Sequence, residues 1–222
     1  MHPEDAKAIQ MIKSVPGYEK LVRLFMKLGY EMQYRGENLA NMVRVTPHCY
    51  PQIYGLFKEV VNKTGIKEPE LYIYNDPEMN AYTYGETRTF VALSSSIVEK
   101  LTPEELKGIM AHECGHILCK HALYKTLRDM GAFMGLIHRT LFAPLYLALQ
   151  YWNRKSELSA DRCGMIITSE EIYQSSLVKL ASGLKETPGM SRCLIEQGKQ
   201  YEAFKHSSLW SRIQQEYRCV FY

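Results

Sequence analysis

Two histidines four residues apart, with a glutamate directly behind the first, form the stretch of this chain best suited to chemistry: His112-Glu113-Cys114-Gly115-His116. Successive helical residues turn by about 100°, so His112 and His116 project about 40° apart, one turn along, and both imidazoles can reach one metal ion. Glu113 lies about 60° round from His116, placed to take a proton from a metal-activated water rather than to act as a third ligand. A zinc centre of this kind needs a third protein ligand and one open position. Downstream, Ser156-Glu157-Leu158-Ser159-Ala160-Asp161 supplies an acidic pair at helical spacing. Glu157 can complete a set of two histidines and one glutamate. Asp161, one turn on, can accept the free ring N–H of a ligating histidine and fix its tautomer. An exposed acidic helix edge is the competing reading, and the coupling to the histidine motif weighs against it.

These side chains need helices beneath them. Thr102-Pro103-Glu104-Glu105 reads as a capping box with proline at the first helical position, and Leu101 and Leu106 can close a hydrophobic staple across it. The predicted helix runs from 103 to about 125, with Leu106, Ile109, Met110, Cys114, Ile117 and Leu118 forming an apolar face beside the histidine edge. Gly108 and Gly115 flank the other side. A helix-interior glycine costs about 1 kcal/mol relative to alanine, so a second segment is expected to approach closely there. The acidic pair predicts another helix over about 156–168, and Ser169-Glu170-Glu171 opens a third. Upstream, 5–45 reads as helical with a break at Pro16-Gly17. Residues 50–63 form an amphipathic helix closed by Gly65. Short strands are expected at 71–74, 81–84 and 89–93, with Val43-Arg44-Val45 as a first strand. The result is a helix-rich α+β fold with a small mixed sheet.

Length and composition set the bounds. With 222 residues and 46% hydrophobic content, the chain suits one globular domain or a domain with a helical extension. Its 27 basic and 24 acidic residues are nearly balanced, which argues against a dedicated nucleic-acid binder. The first residues lack a basic region followed by an apolar core, so no signal peptide is read. Six scattered cysteines, none at C-x-x-C spacing, point to a reduced, cytoplasmic setting. The stretch 131–152 is strongly apolar but interrupted by His138-Arg139 and Pro144. A helical hairpin packed on the core or on a partner is expected there, and membrane association is the alternative. His121, five residues beyond His116, points elsewhere and is read as a packed or surface histidine, as is His138.

H-E-C-G-H followed by E-L-S-A-D resembles the HtpX and CAAX-prenyl-protease family of zinc metallopeptidases, within the gluzincin group. Asn80-Ala81-Tyr82 is similar to that family's N-A-F segment, on the strand edging the active-site cleft. Residues 89–98 resemble the strand and helix that precede its metal helix. Lys205-His206-Ser207-Ser208-Leu209 through Arg212-Ile213 resembles its late H-P-x-x-x-x-R-I segment, with Ser207 in place of proline. The resemblance covers about 45–213. It implies a zincin-like fold, with His112, His116 and Glu157 binding Zn²⁺ and Glu113 as general base. It also implies His206 as an oxyanion stabiliser, Arg212 as a partner for the acidic groups behind the metal, and Asn80, Ala81 and Tyr82 against a protein or peptide substrate. Residues 1–45 then form an N-terminal helical extension, either a targeting or inhibitory arm or a helix wrapping the core. Residues 46–222 form the peptidase domain, with an apolar helical insertion at 125–155. The expected activity is that of a zinc endopeptidase; the alternative is a non-cleaving or latent metal-containing module that holds extended peptides.

Overall fold

The computed structural model describes residues 1–14, 17, 30–85, 88–122, 124–125, 139–185, 187 and 189–205. His206, Arg212 and residues 131–138 lie outside the described residues. In chain order the elements are α1 (Pro3–Lys13), α2 (Tyr30–Asn41), β1 (Val43–Val45), α3 (Pro51–Thr64), β2 (Glu70–Tyr74), β3 (Ala81–Tyr84), β4 (Phe90–Ser94) and α4 (Ser95–Lys100). They continue with α5 (Pro103–Leu118), α6 (Arg139–Ile167), α7 (Glu170–Ser182) and α8 (Met190–Lys205).

Among the described residues four strands form one mixed sheet in the order β1-β2-β4-β3. β1 runs antiparallel to β2, β2 parallel to β4, and β3 antiparallel to β4. β3 therefore occupies one edge of the sheet. Both faces of β4 are buried, as expected of a strand paired on both sides. Leu71, Val91, Leu93 and Ile97 meet Phe57, Val60 and Val61 from α3 and Leu106, Ile109, Met110 and Cys114 from α5. Burying each of the larger apolar side chains is worth about 1.5–3 kcal/mol. On the other face Tyr72, Phe90 and Ala92 pack with Tyr74, Tyr82 and Tyr84.

α5 starts as its sequence dictates. Thr102 Oγ1 accepts the backbone N–H of Glu105, and the Glu105 carboxylate accepts the backbone N–H of Thr102 at 2.8 Å. The helix ends earlier than expected, at Leu118, because the chain turns at Cys119 and Lys120. Lys120 adopts a left-handed conformation at φ 59°. α6 starts earlier than expected, 17 residues ahead of Ser156, and carries Pro144 inside its second turn. Pro144 lies past the first turn, where proline gives up the ladder bond to residue 140, and the helix continues through it, so from Arg139 on the expected hairpin is continuous with the acidic helix. Among the described residues no helix is long and apolar enough to cross a membrane.

α6 lies against α5 where the glycines allow it. A Cβ on Gly115 would stand 2.8 Å from Cys163 Cβ and 3.1 Å from Ala160 Cα, both on α6. One on Gly108 would meet the Tyr173 ring at 3.3 Å, and one on Gly164 would meet the same ring at 2.4 Å. The missing side chains thus bring α5, α6 and α7 into close contact around the histidine edge.

Candidate metal centre

α5 presents His112, Glu113 and His116, and α6 presents Glu157 and Asp161 from successive turns. His112 Nε2 lies 3.1 Å from His116 Nε2 and 3.1 Å from Glu157 Oε2. His116 Nε2 lies 3.4 Å from the same carboxylate oxygen. Three donors thus form a nearly equilateral triangle. For a tetrahedral ion with ligand distances of about 2.0–2.2 Å, neighbouring donors stand about 3.3–3.6 Å apart, close to this spacing. His112, Glu113 and His116 also each offer an atom within 4.8 Å of the others, so the Glu113 carboxylate borders the same point.

The outer ring nitrogens are engaged away from that point. His112 Nδ1 is 3.1 Å from Asp161 Oδ1 and 2.7 Å from the Tyr173 hydroxyl, which itself donates to Asp161 Oδ1 at 2.7 Å. His116 Nδ1 is 2.9 Å from His121 Nδ1. With each Nδ1 engaged on the outside, each Nε2 faces the Glu157 carboxylate, where a bound metal would take its lone pair. The negative potential there attracts cations. The Lys125 ammonium stands 3.0 Å from His116 Nε2 and 3.6 Å from Glu157 Oε1. Glu113 Oε2 is buried without a hydrogen-bond partner among the described residues. Such an orphaned oxygen next to convergent donors fits a metal and its water.

The electrostatics follow from burial and neighbours. Burial and the Lys125 charge push His116 well below the ordinary histidine range, which keeps its imidazole neutral and able to bind metal. Burial lowers His112 too, but hydrogen bonds to Asp161 and Glu157 outweigh it and raise the group to about 10. Glu157 is driven up by burial and down more strongly by Lys125 and His116, ending well below the usual carboxylate range. Glu113 is raised by burial, and Lys125 and His112 moderate the rise.

Two further residues of the site escaped the sequence reading. Tyr173 is 1% exposed and touches both Asp161 and His112; a lone aromatic on α7 gives no local signal, and only the glycine gaps at 108 and 164 point to it. His121 does not point away. It is fully buried and closes on His116 because of the turn at Lys120. Asn80 is bonded through its backbone to Ser94, with its N–H donating to Ser94 Oγ at 3.0 Å. Ala81 and Tyr82 pair with Leu93 and Ala92 along β3, and α5 packs against this strand.

Helix-rich layers around a small mixed sheet, with a histidine-glutamate edge facing an acidic helix, match what the comparisons return. Residues 47–215 match the family model of peptidase family M48, and the chain belongs to that family. It is similar to a plastoglobule-localized metallopeptidase 48 from Arabidopsis thaliana, 28% identical over 221 residues. That match takes in 94% of this chain and 63% of the relative. It is also similar to a protease HtpX homolog from Helicobacter acinonychis (strain Sheeba), 45% identical over 69 residues, 30% of this chain and 22% of that protein. The chain thus spans less than two thirds of the length of either relative.

Proposed function

We propose that the chain is a zinc-dependent endopeptidase in which Glu113 is the general base. The observation that carries this reading is the donor triangle of His112, His116 and Glu157 beside the buried, partnerless oxygen of Glu113. His112, His116 and Glu157 would hold Zn²⁺, which when bound supplies a Lewis acid that acidifies water and polarises a carbonyl. Glu113 accepts the proton that water loses on attacking the peptide carbon and hands it to the leaving amine. Its burial favours proton uptake, as a base that must also become an acid requires. Asp161 and Tyr173 hold the His112 ring so that Nε2, not Nδ1, faces the donor cluster. His206 as oxyanion stabiliser and Arg212 behind the acidic groups belong to the same proposal through the family motif.

The substrate in this reading is protein or peptide. β3 is an edge strand packed against α5, so an extended peptide can add to it by backbone hydrogen bonds along Asn80, Ala81 and Tyr82. The names of the two relatives, a metallopeptidase and a protease homolog, support the same reaction class. A module that only holds peptides has no chemical need for the Glu113 carboxylate beside the donors.

Metal analysis and casein hydrolysis, with and without a chelator, test the proposal. Zinc in a one-to-one ratio and chelator-sensitive hydrolysis are expected. Glu113→Gln should keep the zinc and lose about 10²–10⁴-fold in turnover. Wild-type cleavage by that variant would remove Glu113 as the base. Bound zinc with no hydrolysis before or after limited proteolysis would favour the holding module.

A further inference from the structure

We propose that helix α1 is part of the metal centre: Asp5, acting through His121, orients His116 for its metal. Asp5 and His121 are thereby positioning residues. The inference rests on the reading that His116 is a metal ligand, and extends it to the N-terminal end of the chain.

His116 Nδ1 stands 2.9 Å from His121 Nδ1, and His121 Nε2 stands 2.8 Å from Asp5 Oδ2. Asp5, His116 and His121 are all fully buried, so none of these contacts is diluted by water. The chemistry leaves one proton arrangement. If His116 gives its Nε2 lone pair to the metal, its Nδ1 carries the hydrogen and donates to His121 Nδ1. His121 then holds its own hydrogen on Nε2 and donates to Asp5. A metal–histidine–histidine–carboxylate series results, one link longer than the usual histidine–carboxylate support.

The surroundings of Asp5 are built for a carboxylate. Oδ1 accepts the Trp152 indole N–H at 3.0 Å, and Oδ2 also accepts the Ser159 hydroxyl. Ser159 Oγ in turn accepts the backbone N–H of His2 at 2.9 Å. Burial pushes the Asp5 carboxyl up, but the hydrogen bonds from His121 and Ser159 hold it below its ordinary range. Trp152 and Ser159 sit on α6, the helix that carries Glu157, so α1 is fastened to the ligand-bearing helix as well as to His121. The Trp152 ring also meets the His121 ring edge-on, at 5.4 Å between centroids. On the other side, Lys120 takes a left-handed conformation at φ 59°, strained for a residue with a Cβ, in the turn that returns His121 beneath His116.

Asp5, Cys119 and His121 also lie within 4.8 Å of one another and have the donor types of a second metal site. The relay is the better account of them. Both ring nitrogens of His121 are already committed, and the Asp5 carboxylate takes three donors.

The test is zinc affinity of the full chain, measured by competition with a chromophoric chelator, together with Tm in the zinc-free and zinc-loaded forms. Asp5→Asn and His121→Phe should each bind zinc about 10–100-fold more weakly and lose much of the zinc-induced rise in Tm. Val60→Ala, a core truncation in α3 away from the relay, should lower both Tm values alike and leave zinc affinity unchanged. Wild-type affinity and a full zinc-induced Tm rise in both relay variants would overturn this inference alone. Two zinc ions per wild-type chain, one of them lost in Cys119→Ser, would overturn it in favour of a second metal. A wild-type chain that binds no zinc would overturn the peptidase reading as well.

Discussion

His112 Nδ1 is held by a carboxylate and a phenol at once, and the two do different work. Asp161 is the acceptor that fixes the ring's proton, whereas Tyr173 donates to Asp161 and orients it. Burial and the Asp161 charge raise the Tyr173 phenol far above its ordinary value, so it stays a donor wherever the protein is folded. Asp161→Ala should therefore weaken zinc binding about 10–100-fold. Tyr173→Phe should cost less than a tenth of that factor, because Asp161 still accepts from His112. Chelator competition on the two variants measures the difference, and equal losses would assign the tautomer to the phenol instead. His112, His116, Glu157 and Asp161 were legible because each pair sits four residues apart on one helix, where sequence spacing is spatial spacing. Tyr173 and Asp5 were not, since they reach the site from helices whose placement depends on long-range packing.

Between elements, the contact that sets α7 against α5 runs through Glu105. Its Oε2 accepts from the Thr102 backbone at 2.8 Å, the Thr102 hydroxyl at 2.9 Å and the Lys179 ammonium at 2.6 Å, and its Oε1 accepts from Ser175 at 2.8 Å. The capping box seen in the sequence is thus also a buried ion pair with the helix that delivers Tyr173. Burial raises the Glu105 carboxyl, but its hydrogen bonds, led by Lys179, leave it below its ordinary value of 4.5. A depressed folded-state value means the contribution is complete above the unfolded pKa and fades as pH falls through the lower, folded one. Thermal melts between about pH 3 and 7 should show that acid limb, and Glu105→Gln should flatten it. Glu105→Ala, which strands a buried lysine, should cost about 3–5 kcal/mol. The capped starts of α5 and α7 and the glycine-terminated α3 were readable because caps are local chemistry. The start of α6 was not: the apolar stretch read as a separate hairpin is, from Arg139 on, continuous with the helix that carries Glu157.

Across the whole molecule, the centre draws on residues as far apart in sequence as Asp5 and Tyr173. Asp5 on α1 and Asp161 on α6 each stand behind one of the two histidines, and the β3 edge lies on the α5 side of the sheet. The mixed sheet followed from strand-length apolar runs between turn residues. Its order β1-β2-β4-β3 did not, because pairing partners are chosen by packing against α3 and α5 rather than by the strands' own sequences. Membership of peptidase family M48 rests on residues 47–215, whereas α1 lies ahead of that match and still reaches the histidine edge. X-ray absorption at the zinc edge of the purified, zinc-loaded chain tests the ligand set most directly. Two imidazole nitrogens and a carboxylate oxygen at about 2.0–2.2 Å, with no sulfur, are predicted. A zinc–sulfur distance of about 2.3 Å, from Cys119 or Cys114, or a spectrum without imidazole scattering would contradict it.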